Sequence, residues 1–357
     1  MTKKPTITTV AERAGVAVST VSRFLNGRYV SPALRARLSE VIGELGYSRS
    51  WTARNLSLGR RGSIGVVVDS SEDPWFVLLL SGIEEELATR DCSLMLASLE
   101  LGGRYEPARV SDWIRDRRVD GLILAKSQRR ERALIHLAVE AHLPTVAVVP
   151  DEALQEVQVL HLDNIEAGAT IARHLVELGH TRFAFAGGPD HSIDSKHRLR
   201  GLREGLAAQG IELPAAHVFS CPQWDVAAGT TFGRTFLDAR LPVTALVLAN
   251  DALALGFMRV AHERGVRVPQ SLSVAGFDGL PAGAIAWPSL TTVAQPTREM
   301  GRVACRRLLD TIDDPGRIER IQFRMDLVAR ESTAAPPPPG RGKAAAPRRP
   351  KRVGRQA

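Results

Sequence analysis

Apolar residues recur at helical spacing in the first 50 positions and in short continuous runs afterwards. Val10, Ala11 and Ala14 give one apolar face to a helix predicted over residues 8–14. Gly15 can take positive φ and so ends that helix in a tight turn. A second helix is predicted over 18–25, with Val21 and Leu25 inward and Ser19, Ser22 and Arg23 outward. Ser31 as N-cap and Pro32 at the first helical position open a third. Its apolar face is Leu34, Leu38, Val41, Ile42 and Leu45, and Gly46 closes it. Two short helices joined by a glycine-containing turn make a helix-turn-helix, whose second helix can enter a DNA major groove.

From Ser63 the pattern changes to β-rich runs at 64–68, 94–97, 122–125 and 146–149, separated by helical segments such as 78–90 and 108–117. The cycle resumes at 183–186, 245–248 and 272–276. Alternating βα units predict parallel sheets covered on both faces, with ligands bound beyond the carboxyl ends of the strands. A body of roughly 270 residues exceeds one simple sheet, so two lobes are expected. The predicted class is α/β: a small all-α helix-turn-helix head and a two-lobed body. The densest apolar run, residues 75–80, is six long and far short of a membrane span. The first residues lack an apolar signal region, and three cysteines form no disulfide framework, so a cytoplasmic protein is expected.

Charge separates the parts further. Residues 1–61 hold 11 Lys+Arg and 3 Asp+Glu, net +8; residues 62–331 hold 29 and 36, net −7. Residues 332–357 hold seven basic residues and no acidic one. An acidic body repels a polyanion, which assigns nucleic-acid binding to the ends. The Pro-rich basic tail from 334 to 357 cannot bury enough apolar surface to order itself. It reads as a soluble tail or as a source of non-specific DNA attraction.

The stretch Val10-Ala-Glu-Arg-Ala-Gly-Val16, then Ser19-Thr-Val-Ser-Arg23, Leu25-Asn-Gly27, Val30-Ser31 and Leu45-Gly-Tyr47 resembles the lac-repressor (LacI/GalR) family of bacterial transcription factors. The resemblance continues through Asp73-Pro-Trp-Phe76, Asp163-Asn164, Leu178-Gly-His180, Ala249-Asn-Asp251, Gly276-Phe-Asp278 and Leu290-Thr-Thr-Val-Ala-Gln295. It spans roughly residues 6–333 and implies two periplasmic-binding-protein-like lobes around an effector cleft. It implies a helix-turn-helix domain at 1–49, a hinge at 50–61 and an effector-binding and dimerisation body at 62–333. Lobe 1 would take 62–162 and 292–318, and lobe 2 would take 163–291 and 319–333.

By that resemblance Val18 and Ser19 choose sequence at the start of the recognition helix, and Arg23 reads a guanine. Thr6, Thr20 and Ser22 would hold phosphates. Ala53 and Leu56 lie in the hinge segment, where Leu56 would wedge open the central base step. The implied partners are a near-palindromic operator and a second copy of the chain. The tail lacks the leucine heptads of a tetramerising bundle, which makes a dimer the expected assembly.

Three positions depart from the family pattern. Ala17 stands where a serine usually caps the recognition helix, Thr9 replaces an aspartate, and Arg49-Ser50 replaces the hinge's Pro-Asn.

A sugar-binding cleft needs a flat apolar face and a few convergent polar groups. Trp75 and Phe76 follow a strand end directly, where a βα loop faces the cleft. The resemblance adds Trp224, Arg198, Asp278, Asn250 and Gln295. Each also has a structural reading: core packing for the tryptophans, an ion pair for Arg198, a cap or turn for Asp278, and fold support for Asn250 and Gln295. Val149 occupies the place of an expected carboxylate at the end of the fourth strand, so a less hydroxylated effector is compatible. A sugar or sugar derivative is expected first, a nucleobase second.

No phosphate-cradling glycine motif, nucleophile elbow or metal-spaced histidines appear, and neither catalysis nor a cofactor or metal is expected. A sugar-binding transport or chemoreceptor protein is the rival reading, but it predicts a signal peptide and no basic head.

Overall fold

The computed structural model describes residues 5–25, 27–47, 60–69, 73–90, 92–101, 104–105, 107–125, 131–150, 154–316 and 318–338. The hinge positions Ala53 and Leu56, and the tail from 339, lie outside the described residues.

The head forms three helices, α1 (Ile7–Ala14), α2 (Val18–Leu25) and α3 (Pro32–Leu45). Their common core is Val10, Ala11, Ala14, Val21, Leu38 and Val41. Gly15 and Gly46 close α1 and α3 at φ 65° and 58°, the left-handed conformation expected of them. Thr6 and Thr9 form a reciprocal capping box, so the threonine that replaces the family's aspartate helps cap α1. Ser31 occupies the N-cap of α3, yet its side chain makes no capping bond; Pro32 supplies the preset φ instead.

Ala17 precedes α2 and offers only its carbonyl, which accepts from Thr20 and Val21 N–H. Ala17→Ser should therefore raise the opening free energy of α2 by about 0.5–2 kcal/mol. Amide hydrogen exchange of residues 18–25 in the full chain checks this.

Among the described residues the body contains two six-stranded sheets and a short hairpin. In chain order its elements are β1 (Ser63–Val68), α4 (Pro74–Leu87), β2 (Ser93–Ser98), β3 (Glu100–Leu101), β4 (Arg104–Tyr105), α5 (Ala108–Arg115), β5 (Gly121–Ala125), α6 (Glu131–Glu140), β6 (Thr145–Val148) and β7 (Gln158–Leu162). The chain then continues through α7 (Asn164–Glu177), β8 (Phe183–Gly187), α8 (Ile193–Ala207), β9 (Val218–Ser220), α9 (Val226–Asp238), β10 (Ala245–Leu248), α10 (Asp251–Glu263) and β11 (Ser273–Asp278). Last come α11 (Pro281–Ile285), β12 (Thr291–Ala294), α12 (Thr297–Asp313), β13 (Arg320–Phe323) and β14 (Asp326–Val328).

Sheet one runs β13-β7-β6-β5-β1-β2 and is parallel throughout. Sheet two runs β14-β12-β11-β10-β8-β9, with only β14 antiparallel. Fully buried strands such as β1, β5, β8 and β11 explain the continuous apolar runs in the sequence.

Sheet membership moves two expected lobe boundaries. β12 belongs to sheet two and β13 to sheet one, so the chain crosses at 295–296 and at 324–325. The expected crossings at 292 and 319 each cut a few residues early, because a strand's apolar pattern does not say which sheet it joins.

Three helix pairs cross through reciprocal glycines. A methyl group on Gly82 would overlap the Arg298 carbonyl, and one on Gly301 the Leu79 carbonyl, which joins α4 to α12. Gly168 and Gly201 do the same for α7 and α8, and Gly229 and Gly256 for α9 and α10. Such crossings bring backbones into contact and fix where the helix N-termini point.

Candidate functional site

The carboxyl ends of the strands carry the expected cleft residues. Asp73 caps α4 by accepting from Trp75 N–H at 2.9 Å, so the loop after β1 turns at once into a helix. This delivers Trp75 and Phe76 to the lobe-1 wall, where both are buried and meet edge to face at 5.2 Å. Trp75 belongs to the lobe-1 core, yet its indole N–H points out of that core. It donates to Gln295 Oε1 at 2.7 Å.

Gln295 follows β12 at the crossing between lobes, and its amide bridges them. Its Nε2 donates to Asp278 Oδ1 at 2.5 Å, while its backbone N–H donates to the Asp278 carbonyl. Asp278 ends β11 with φ 109°, a conformation that costs a non-glycine residue about 1–3 kcal/mol. Arg198 on α8 faces the same carboxylate, Nη1 to Oδ1 3.5 Å, with both side chains essentially dry. Its Nε donates to Asn164 Oδ1 at 2.8 Å, its Nη1 donates to the Ala249 carbonyl, and its guanidinium lies 5.0 Å from the centre of the Phe277 ring. Asn164 in turn donates to Asp194 Oδ1 at 2.8 Å. A buried polar chain therefore runs Trp75–Gln295–Asp278–Arg198–Asn164–Asp194 from lobe 1 into lobe 2. Arg198 Nη2 is buried and has no hydrogen-bond partner. A guanidinium N–H left dry in this way keeps the capacity to donate to one further acceptor.

Two expected ligands are held differently. Asn250 caps α10, accepting from Leu253 N–H at 2.8 Å, and its Nδ2 donates to the Trp224 carbonyl at 2.8 Å. Both ends of its amide are thus committed, and its effect is to hold the Trp224 loop. Trp224 is half-buried, and its indole occupies the space above Gly188 that any side chain there would fill. Val149 is buried at the end of β6 with φ 52°, an unusual conformation for a β-branched residue. It adds to the apolar lobe-1 side with Trp75 and Phe76.

Asn164, Asp194 and Asp251 belong to this cluster, and sequence reasoning did not single them out. Asn164 and Asp251 stood within quoted landmarks, but their partners lie 34 and 29 residues away. Only a buried-polar criterion would find them.

In the head, Val18, Ser19 and Arg23 are exposed on the outward side of α2, and Thr20 and Ser22 are half-buried. Thr6 is exposed at the N-cap of α1. Among the described residues no group of His, Cys, Asp and Glu is arranged to hold a metal ion.

Residues 6–50 match the profile of bacterial regulatory proteins of the lacI family, and residues 172–333 match the periplasmic binding protein-like domain. The HTH-type transcriptional regulator CelR of Thermobifida fusca is 33% identical over 92% of this chain and 98% of its own. The chain belongs to the lacI family. It is a LacI-family transcriptional regulator, with a helix-turn-helix head and a two-sheet α/β body. A solved transcriptional regulator CelR–cellobiose complex covers 92% of this chain and 99% of its own, at 32% identity and TM-score 0.70. A lac repressor dimer bound to operator and the anti-inducer ONPF covers 93% and 100%, at 26% identity and TM-score 0.79. These similarities span the head and both lobes of the LacI-family chain together.

Proposed function

We propose that this regulator is a homodimeric, cytoplasmic, non-catalytic repressor, and that a sugar or sugar derivative held between its lobes sets its operator affinity. The observation that carries the reading is the buried polar chain joining Trp75 in lobe 1 to Arg198 and Asp278 in lobe 2. A ligand that inserts hydroxyl groups into that chain acts on both lobes at once. It changes lobe closure only to the extent that it binds two closures unequally. CelR in complex with cellobiose supports the sugar class. The two sides of the chain of bonds differ: Arg198, Asp278 and Asp194 put polar groups on lobe 2, and the buried Trp75, Phe76 and Val149 make the facing part of lobe 1 apolar. An effector with one hydroxylated edge and one bare ring face fits that division. The exposed Ile285 and Trp287, 87% accessible each, support a second copy of the chain as a partner.

On DNA, Arg23 would pair with a guanine, Val18 and Ser19 would meet base edges, and Thr6, Thr20 and Ser22 would meet phosphates. The lac repressor dimer bound to operator supports two heads on a near-palindromic site.

Fluorescence anisotropy on such a site, with and without cellobiose, ribose and nucleobases, tests the whole reading. At least one sugar should shift operator affinity. Arg23→Ala should cost about 1–3 kcal/mol and relax selectivity at one base pair per half-site. A footprint without dyad symmetry, or no effect of Arg23→Ala, would overturn the DNA part; sugars that bind without moving operator affinity would overturn the effector part.

A further inference from the structure

The turn that presents Asp278 is held from outside by a second carboxyl group. Asp251, the first residue of α10, is fully buried, and its Oδ2 accepts from Leu280 N–H at 2.8 Å. Its Oδ1 is buried with no hydrogen-bond partner. That oxygen lies against the backbone of Gly276, where a methyl group would overlap it. Thr292 Oγ1 accepts from Gly279 N–H at 3.3 Å. Asp278 and Gly279 take φ 109° and 76° in succession, so the turn has two left-handed residues and depends on these outside contacts.

The charged side chains that face Asp251 are Asp278 from the end of β11 and, beyond it, Arg198 from α8. Among the described residues, β10, β12, α11 and residues 279–280 bring no charged side chain to it. One guanidinium thus stands beside two buried carboxyl groups, and it can neutralise only one.

We propose that Asp251 is a positioning residue: it ties residues 278–280 to the start of α10 and so fixes the Asp278 carboxylate against Arg198 and Gln295. The role of Asp278 toward an effector rests on the reading above; the positioning of Asp278 does not. Burial, and next the Asp278 carboxylate, push the Asp251 acid up to about 8. The folded protein therefore keeps a proton that the unfolded chain releases above the ordinary carboxylate range. Between those two values the native state binds more protons, so its stability falls as pH rises, and the fall stops above about 8.

The test uses the full chain carrying Asp251→Asn or Asp251→Ala. Asparagine keeps the acceptor for Leu280 without a titrating proton. Relative to D251N, the wild type should lose about tenfold in folding constant per pH unit between about pH 5 and 8, then no more. Crystal structures should show Asp278 unchanged in D251N, and in D251A returned to negative φ and drawn away from Arg198. A pH-independent gap between wild type and D251N overturns the neutral-acid role, whether or not D251A folds. An unmoved Asp278 in D251A overturns the positioning role. Failure of every sugar to bind the wild type would count against the effector reading alone and would leave both measurements intact.

Discussion

Arg198→Ala should lower the unfolding free energy of the body by about 3–5 kcal/mol and abolish any response of operator binding to effector. The size follows from what the substitution strands. Arg198 is 1% exposed, and its removal leaves Asp278 as an uncompensated buried charge next to a second carboxyl group. It also frees the Asn164 and Ala249 acceptors and opens a void over Phe277. A charge pair of this kind need not contribute net stability against an apolar substitute. The double variant Arg198→Met with Asp278→Asn should therefore recover much of the loss, while its effector response stays absent. Urea unfolding of the two variants, with operator anisotropy beside it, separates stability from signalling. A loss under about 1 kcal/mol for the single variant would mean that water reaches the pair and screens it.

What the sequence disclosed follows how local each interaction is. Gly15, Gly46 and Pro32 set helix ends through their own backbone preferences, and the head was legible to within a residue or two. The buried strands β1, β5, β8, β10 and β11 were legible because both faces are covered and the runs stay apolar, whereas β7 and β12, equally internal, carry Gln158, His161, Thr291 and Thr292 and were not predicted. The edge strands β9, β13 and β14 were not, since three or four half-exposed residues carry no clear period. The cleft divides the same way. Trp75 was named from its place after a strand end, and Arg198, Asp278 and Gln295 were named from the family resemblance. Their mutual order was hidden, because Trp75 and Gln295 lie 220 residues apart in the chain yet share a hydrogen bond. Asn250 shows the limit from the other side: its cap on α10 is local and readable, while its grip on Trp224 needs the fold.

Gly201→Ala should destabilise the body and release Arg198, although alanine is the better helix former by about 1 kcal/mol. Gly201 sits inside α8, where a methyl group would overlap the Ile165 carbonyl and lie 3.0 Å from its Cα. Gly168 makes the reciprocal contact from α7, with Leu202 N at 2.7 Å from the same kind of methyl group. Neither clash involves a flexible side-chain end, so the helices themselves must move apart. The crossing also sets the site. Asn164 is the first residue of α7, and Arg198 lies one turn before Gly201, so their 2.8 Å hydrogen bond spans the same joint. Overpacking of this kind costs about 1–3 kcal/mol, which exceeds the propensity gain. Gly43 in α3 is the control: it is helical with no heavy atom near its missing methyl group, and Gly43→Ala should stabilise the head by about 1 kcal/mol. Thermal unfolding and hydrogen exchange of the two variants should thus give opposite signs for the same chemical change. If Gly201→Ala stabilises instead, α7 and α8 have slack at their crossing, and the Arg198–Asn164 bond owes its geometry to something other than that contact.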